Sequence, residues 1–141
     1  MDVSAETAAL ILRSFRTWAV VGCSPDQSRP SHGVARYLHR NGYRVLPVNP
    51  TCDAMWGERC YPDLRSIPAD EGVEVVDIFR RSELAGVHVD EAIEIGAKAV
   101  WMQLGVIDEA AAARARAAGL LVVMDRCPAI DHPRLVGAGR A

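Results

Sequence analysis

The chain is poor in several things that would have assigned it quickly. It holds one lysine, Lys98, against fifteen arginines, and no Cys-x-x-Cys pair. Its apolar runs, such as Leu120 to Met124, fall far short of the roughly 20 residues that cross a bilayer, so no membrane span is expected. The start, Met1-Asp2, lacks a basic segment followed by a long apolar one, so no secretory signal is read and a cytoplasmic location is expected. A formal charge of −2 and a pI near 6.1 leave no broad basic field, which argues against nucleic acid as a partner. The arginine and alanine bias reflects coding preference as readily as function. In that compartment Cys23, Cys52, Cys60 and Cys127 are expected as reduced thiols, and the spacing of Cys52, Cys60, Cys127 and His132 fits no common zinc site, so no metal is expected.

What is present is ordinary globular composition, 50% apolar and 24% charged over 141 residues, enough for one domain over 1–141. The chain alternates helix and strand. An amino-terminal helix over 1–17, densest from Ala5 to Arg16, precedes a core over 18–136. Trp18 to Val21 is short, apolar and closed by Gly22, as a buried parallel strand is. A helix follows between Pro30-Ser31 and Asn41-Gly42, carried by Val34 and Leu38. Tyr43 to Val48 and Val73 to Phe79 read as the next strands. Between them Asn49 to Asp70, with Pro50, Gly57, Pro62 and Pro68, reads as a long loop, a lid or a short extra element. A helix over Leu84 to Ile95, a strand over Ala99 to Gln103, an alanine-rich helix capped by Asp108 and a strand over Leu120 to Met124 complete the pattern. Parallel strands need long, right-handed crossovers, so the order predicts an α/β fold: a three-layer α/β/α sandwich with a five-stranded or slightly larger, mainly parallel, doubly wound sheet.

Ligands of such sheets bind beyond the carboxyl ends of the strands, where strand order reverses. Those ends read Gly22-Cys23-Ser24, Val48-Asn49-Pro50, Phe79-Arg80, Gln103-Leu104-Gly105 and Asp125-Arg126-Cys127-Pro128. Gly22 permits a sharp turn, and the helix starting near Pro30-Ser31 aims its positive dipole end at the first loop. Hydroxyls of Ser24, Ser28 and Ser31 and the guanidinium of Arg29 add donors suited to phosphate. Taken singly, each tip is as well explained by turn chemistry or capping. The nicotinamide fingerprint is missing, since no G-x-G-x-x-G follows the first strand and the second ends in Asn49-Pro50 instead of an acid. No P-loop is present either.

Together, Gly22-x-Ser24, Arg29-Pro30-Ser31, Tyr37-Leu38, Gly42-Tyr43, Val45, Pro47-Val48-Asn49-Pro50, Asp77, Phe79-Arg80 and Val100-Trp101-Met102-Gln103-Leu104-Gly105 resemble the small CoA-binding proteins. That family is similar to the amino-terminal CoA-binding domain of the succinyl-CoA synthetase α subunit. The resemblance runs from about Trp18 to Val136. It implies a Rossmann-type fold and coenzyme A as the ligand, lined by Gly22, Cys23, Ser24, Arg29, Pro30, Ser31, Val48, Asn49, Pro50, Phe79, Arg80, Gln103 and Gly105. A full ligase is not expected, because its nucleotide-grasping domain and phosphorylated histidine have no room here.

The leading expectation is a CoA or acyl-CoA binding protein without catalytic residues, a carrier, sensor or regulatory module, with a protein partner or homo-oligomer left open. The alternative is a small transferase or redox enzyme using the same cleft with a reactive Cys23 or Cys127, the latter five residues before His132. Asp77 and Asp125 read as structural carboxylates that accept backbone N–H bonds or pair with Arg80 or Arg126. Trp101 and Met102 read as core on opposite faces of their strand, and the Asp131-to-Leu135 tail receives no role.

Overall fold

A computed structural model describes residues 2–51 and 54–137. The chain opens with helix α1 (Val3–Ser14), capped by Asp2, whose carboxylate accepts the Ala5 N–H at 2.7 Å. Strand β1 (Thr17–Val21), helix α2 (Pro30–Arg40) and strand β2 (Arg44–Val48) follow. A two-stranded hairpin, β3 (Ala54–Met55) and β4 (Glu58–Arg59), and two 3₁₀ turns lead to β5 (Val75–Ile78). Then come α3 (Ser82–Glu94), β6 (Ala99–Met102), α4 (Glu109–Ala117), β7 (Leu121–Val123), α5 (Pro128–Asp131) and a π-helical turn, His132–Gly137.

The main sheet runs β2-β1-β5-β6-β7 with every neighbouring pair parallel. This is the doubly wound Rossmann-like fold expected from the alternation. The reversal falls at β1: the chain steps outward to β2, then returns past β1 to β5, opening a crevice between the β1 and β5 tips.

Side-chain alternation along the strands builds two cores. Trp18, Val20, Val45, Val75 and Trp101 face one way and meet Ile11 and Leu12 of α1 and Val34 and Leu38 of α2. Ala19, Val21, Leu46, Val76, Ile78, Val100 and Met102 face the other and meet Ala85 and Val89 of α3 and Ala111, Ala112 and Ala115 of α4. Trp101 and Met102 therefore lie on opposite faces, as their neighbouring positions require. Trp18 and Trp101 are fully buried with ring centroids 5.6 Å apart, and each indole N–H donates to a carbonyl, of Phe15 at 3.1 Å and of Arg126 at 2.8 Å. Truncating either to alanine costs about 3–5 kcal/mol.

The structure adds to two readings from sequence and corrects a third. The segment after β2 is built of short elements and is tied down, as Arg44 donates to Glu58 at 2.8 Å and to Glu71 at 2.9 Å. Tyr61 pairs with the outer edge of β2, its N–H donating to the Pro47 carbonyl at 2.9 Å. A strand residue points its N–H and C=O to the same side, so the N–H that Pro47 lacks would have faced that outer edge and not β1. The carboxyl tail, given no role, folds back on α1, with Arg13 donating to the Leu135 carbonyl at 2.7 Å. Cys60 is disulfide-bonded, which corrects the expectation of a reduced thiol there; Cys23 and Cys127 are free, and Cys52 lies outside the described residues. Among the described residues no helix is long and apolar enough to cross a membrane.

Candidate functional site

The β1 tip is shaped by Gly22. Its φ of +81° favours glycine, and its N–H donates to the Val48 carbonyl at 2.9 Å. A Cβ built there would lie 2.5 Å from the Phe79 carbonyl oxygen, so the β1 turn and the β5 tip approach as closely as backbones allow. The loop beyond is self-bonded. The Ser24 N–H donates to the Ser31 hydroxyl at 3.0 Å, and Asp26 accepts from both the N–H and the hydroxyl of Ser28. Those Ser28 bonds hold the Asp26 carboxyl below the usual range, with Arg29 and His32 adding to the effect. Arg29 is the N-cap of α2 and offers no capping side-chain bond, while Pro30 supplies the first helical position. The positive end of α2 thus borders the crevice, with the Asp26 carboxylate beside it.

Asn49 fastens the β2 tip to the β1 tip, its amide donating to the Cys23 carbonyl at 2.9 Å while its oxygen accepts from the backbone and hydroxyl of Thr51. At the far side Asp125, in the left-handed region with φ +57°, accepts the Gly105 N–H at 2.7 Å and so holds the turn after β6. That is the backbone-accepting role read for it. Arg126 pairs instead with Asp131 at 2.7 Å.

These tips enclose a cleft of about 790 Å³, within the usual range of small-molecule sites, about 300–1,000 Å³. Gly22, Ser24, Arg29, Pro30, Ser31 and Asn49 line one side of it, and Phe79, Arg80, Gln103 and Gly105 the other. Val48 and Pro50 border a smaller adjoining hollow of about 280 Å³ that shares Gly22, Asn49 and Arg80 with the first. Cys23 is brought to neither: its side chain is buried in the core beneath the loop. Arg81, Val34, Leu104, Val106 and Cys127 also line the cleft and were not picked out as binding positions. Arg81 and Leu104 were each one residue from a selected tip residue, so a wider reading of the tips would have found them. Among the described residues Arg29 and Arg80 make no ion pair, whereas Arg81 pairs with Glu83 at 3.2 Å.

The thiols and acids have settings unlike those of a catalytic pair. Burial, then the charge of Asp77, pushes the Cys23 thiol up to about 12, the reverse of an activated thiolate. His132 is fully buried, with its Nδ1 2.8 Å from the Tyr37 hydroxyl. Asp77, expected to accept backbone N–H groups or pair with Arg80, does neither among the described residues. It is fully buried, burial raises its pKa well above the usual carboxylate range, and its partner is the Gln103 amide.

A family model described as CoA binding domain matches residues 16–133. The uncharacterized protein YneT of Bacillus subtilis (strain 168) is 38% identical over 128 residues, 91% of this chain and 93% of that protein. Among solved structures, a hypothetical protein from Pyrococcus horikoshii OT3 superposes with a TM-score of 0.88 at 37% identity, covering 97% of each chain. A dinucleotide forming acetyl-coenzyme A synthetase 1 from Ca. Korarchaeum cryptofilum gives a TM-score of 0.69 at 28% identity; 79% of this chain matches 26% of that enzyme.

Proposed function

The chain belongs to the family of CoA-binding domains, and from that membership we propose that it holds coenzyme A or an acyl-CoA in the strand-tip cleft and does no chemistry on it. As a carrier, sensor or regulatory module it would act through a second protein or another copy of itself. The observation that carries this reading is the donor set. Arg29, Arg80 and the positive end of α2 converge on the crevice at the strand reversal, and among the described residues neither arginine makes an ion pair. The close Gly22–Phe79 approach gives the crevice a floor of bare backbone, which lets a phosphate come near. Arg29, Ser24 and Ser31 would face the phosphates, with Asn49, Phe79, Arg80, Gln103 and Gly105 along the rest of the ligand. The non-catalytic reading is supported by the raised Cys23 thiol and by His132 turning to Tyr37.

Calorimetric titration of ligand-stripped protein with CoA, dephospho-CoA and NAD tests the reading. Saturable binding of CoA, weaker for dephospho-CoA and absent for NAD, is the expected result. Arg29→Ala is expected to lower CoA affinity about tenfold or more, the worth of one charge-assisted hydrogen bond. Asn49→Ala is expected to lower it as well, by releasing the β2 tip. Unchanged affinity in both variants would remove this assignment of the site.

A further inference from the structure

The turn after β6 reads Leu104-Gly105-Val106-Ile107, whereas exposed turns are ordinarily built of Gly, Pro, Asn, Asp and Ser. Leu104 is 57% exposed and Ile107 49%, while Val106, between them in sequence, is buried. This exposure is held in place. The Val106 N–H donates to the Gln103 carbonyl at 2.8 Å and the Gly105 N–H to Asp125 at 2.7 Å. The Ser82 hydroxyl ties the turn to α3, donating to the Gly105 carbonyl at 3.2 Å and accepting the Ile107 N–H at 2.9 Å. Bonds to the β7 tip and to the start of α3 thus pin the turn with Leu104 outward, so a group that lands on it needs little ordering of the protein.

Leu104 and Val106 also line the strand-tip cleft, as does the buried Cys127 just past β7. The cleft therefore changes character along the sheet. Arg29 and Arg80 stand at the start of α2 and just past β5, and the apolar lip lies one and two strands further on, at β6 and β7. At the usual strand spacing that is about 5–10 Å from the β5 tip. A ligand anchored by phosphate at the first end lays its other end on the second. Charge narrows what that end is. Asp125 already places a carboxylate at this turn, and Arg81, the cation next to Ser82, is met by Glu83 at 3.2 Å. An acidic group is repelled there and an apolar one is not.

We propose that the ligand is a CoA thioester with an apolar acyl group, and that Leu104 and Val106 seat that group at the β6 lip as specificity-determining residues. The inference rests on the CoA reading and narrows it from CoA or any acyl-CoA to one class of thioester. An acyl chain covers Leu104, and each methylene withdrawn from water there strengthens binding. Free CoA ends in a thiol and leaves the lip exposed, so the acyl group is what this site distinguishes.

The test titrates ligand-stripped protein with CoA and with acetyl-, butyryl-, hexanoyl- and succinyl-CoA. From acetyl to hexanoyl, affinity is expected to rise about two- to fourfold per methylene, the worth of a methylene half to fully removed from water. Succinyl-CoA matches butyryl-CoA in acyl carbons but ends in a carboxylate, and is expected to bind about tenfold more weakly than it or worse. Leu104→Ser, at an exposed position, should flatten the series and leave free CoA within about twofold of wild type. Leu10→Ser, at a half-exposed position on α1, should leave the whole series unchanged. A flat series in wild type, succinyl-CoA as tight as butyryl-CoA, or an undiminished slope in Leu104→Ser would overturn the inference. So would equal losses for CoA and hexanoyl-CoA in Leu104→Ser, which would put the adenine or the pantetheine arm on the lip. Where CoA still binds, the CoA reading stands without the inference; if neither CoA nor any thioester binds, that reading fails and the inference with it.

Discussion

Replacing Gly22 by alanine adds one methyl group at the place where the β1 turn meets β5. Two costs follow from the geometry. The residue sits at φ +81°, where an L-residue pays about 1–2 kcal/mol. The new Cβ would also lie 2.5 Å from the Phe79 carbonyl oxygen, which is backbone and cannot rotate aside. Forcing the two tips apart resembles overpacking, about 1–3 kcal/mol. Together Gly22→Ala should destabilise the protein by about 2–5 kcal/mol. With a urea m-value of about 1–3 kcal/mol/M, the unfolding midpoint falls by about 1–2 M or more at unchanged m. Gly33 makes the internal comparison, since it lies inside α2 with nothing within 4 Å of its added Cβ. Gly33→Ala should gain about 0.5–1 kcal/mol from helix propensity. The assay is urea unfolding followed by tryptophan fluorescence and by circular dichroism, which should coincide. If Gly22→Ala unfolds within about 0.5 kcal/mol of wild type, the close approach of the two tips does not constrain the fold and the reasoning is wrong.

Two further expectations concern titration and thiol chemistry. Because burial raises the folded-state pKa of Asp77 well above 3.8, the folded protein binds more protons than the unfolded chain between those values, so this residue's contribution to stability falls as pH rises. Asp77→Asn removes that slope: as pH rises from the unfolded value near 3.8 toward the raised folded value, the stability difference between variant and wild type should move in the variant's favour, and a flat difference would refute the burial argument. In native protein an alkylating reagent should modify Cys127, in the cleft wall, before Cys23, whose thiol is buried and pushed up to about 12, and CoA should slow the Cys127 reaction. Mass mapping of the labelled peptides gives the order, and rapid labelling of Cys23 would contradict its placement.

The sheet was readable because its signals are local. Trp18 to Val21 is a closed apolar run, Asn41-Gly42 stops a helix, and Asp108 accepts the Ala111 N–H at 3.0 Å as a cap should. The cleft was readable as a set of tips because parallel strands put all their carboxyl ends on one side. Pairings across strands were not. Asp77 and Gln103 are 26 positions apart, and nothing local says that β5 and β6 are neighbours with Asp77 beside Trp101, which is what carries Gln103 back to the acid. Cys23 was assigned to the ligand by its place in the Gly22-Cys23-Ser24 tip, but the turn at Gly22 points its side chain into the core. The β3–β4 hairpin escaped because two-residue strands leave no period to detect, and its turn uses Trp56 at φ +41°, a conformation that tryptophan does not advertise.

The docking of α1 against β7, α5 and the carboxyl turn sets an order on the birth of this fold. Ile11 and Leu12 are synthesised more than a hundred residues before β7, α5 and the turn that follows, which cover much of their helix. Until then part of the helix's apolar stripe is uncovered, and the interior strand β1 waits for β5 to fill its second side. Docking of α1 is therefore delayed until α5 and the turn after it have been made, and loss of that turn would be felt at α1, far away in sequence. A truncation before Pro128 should expose α1 to proteases although no residue of α1 has been altered.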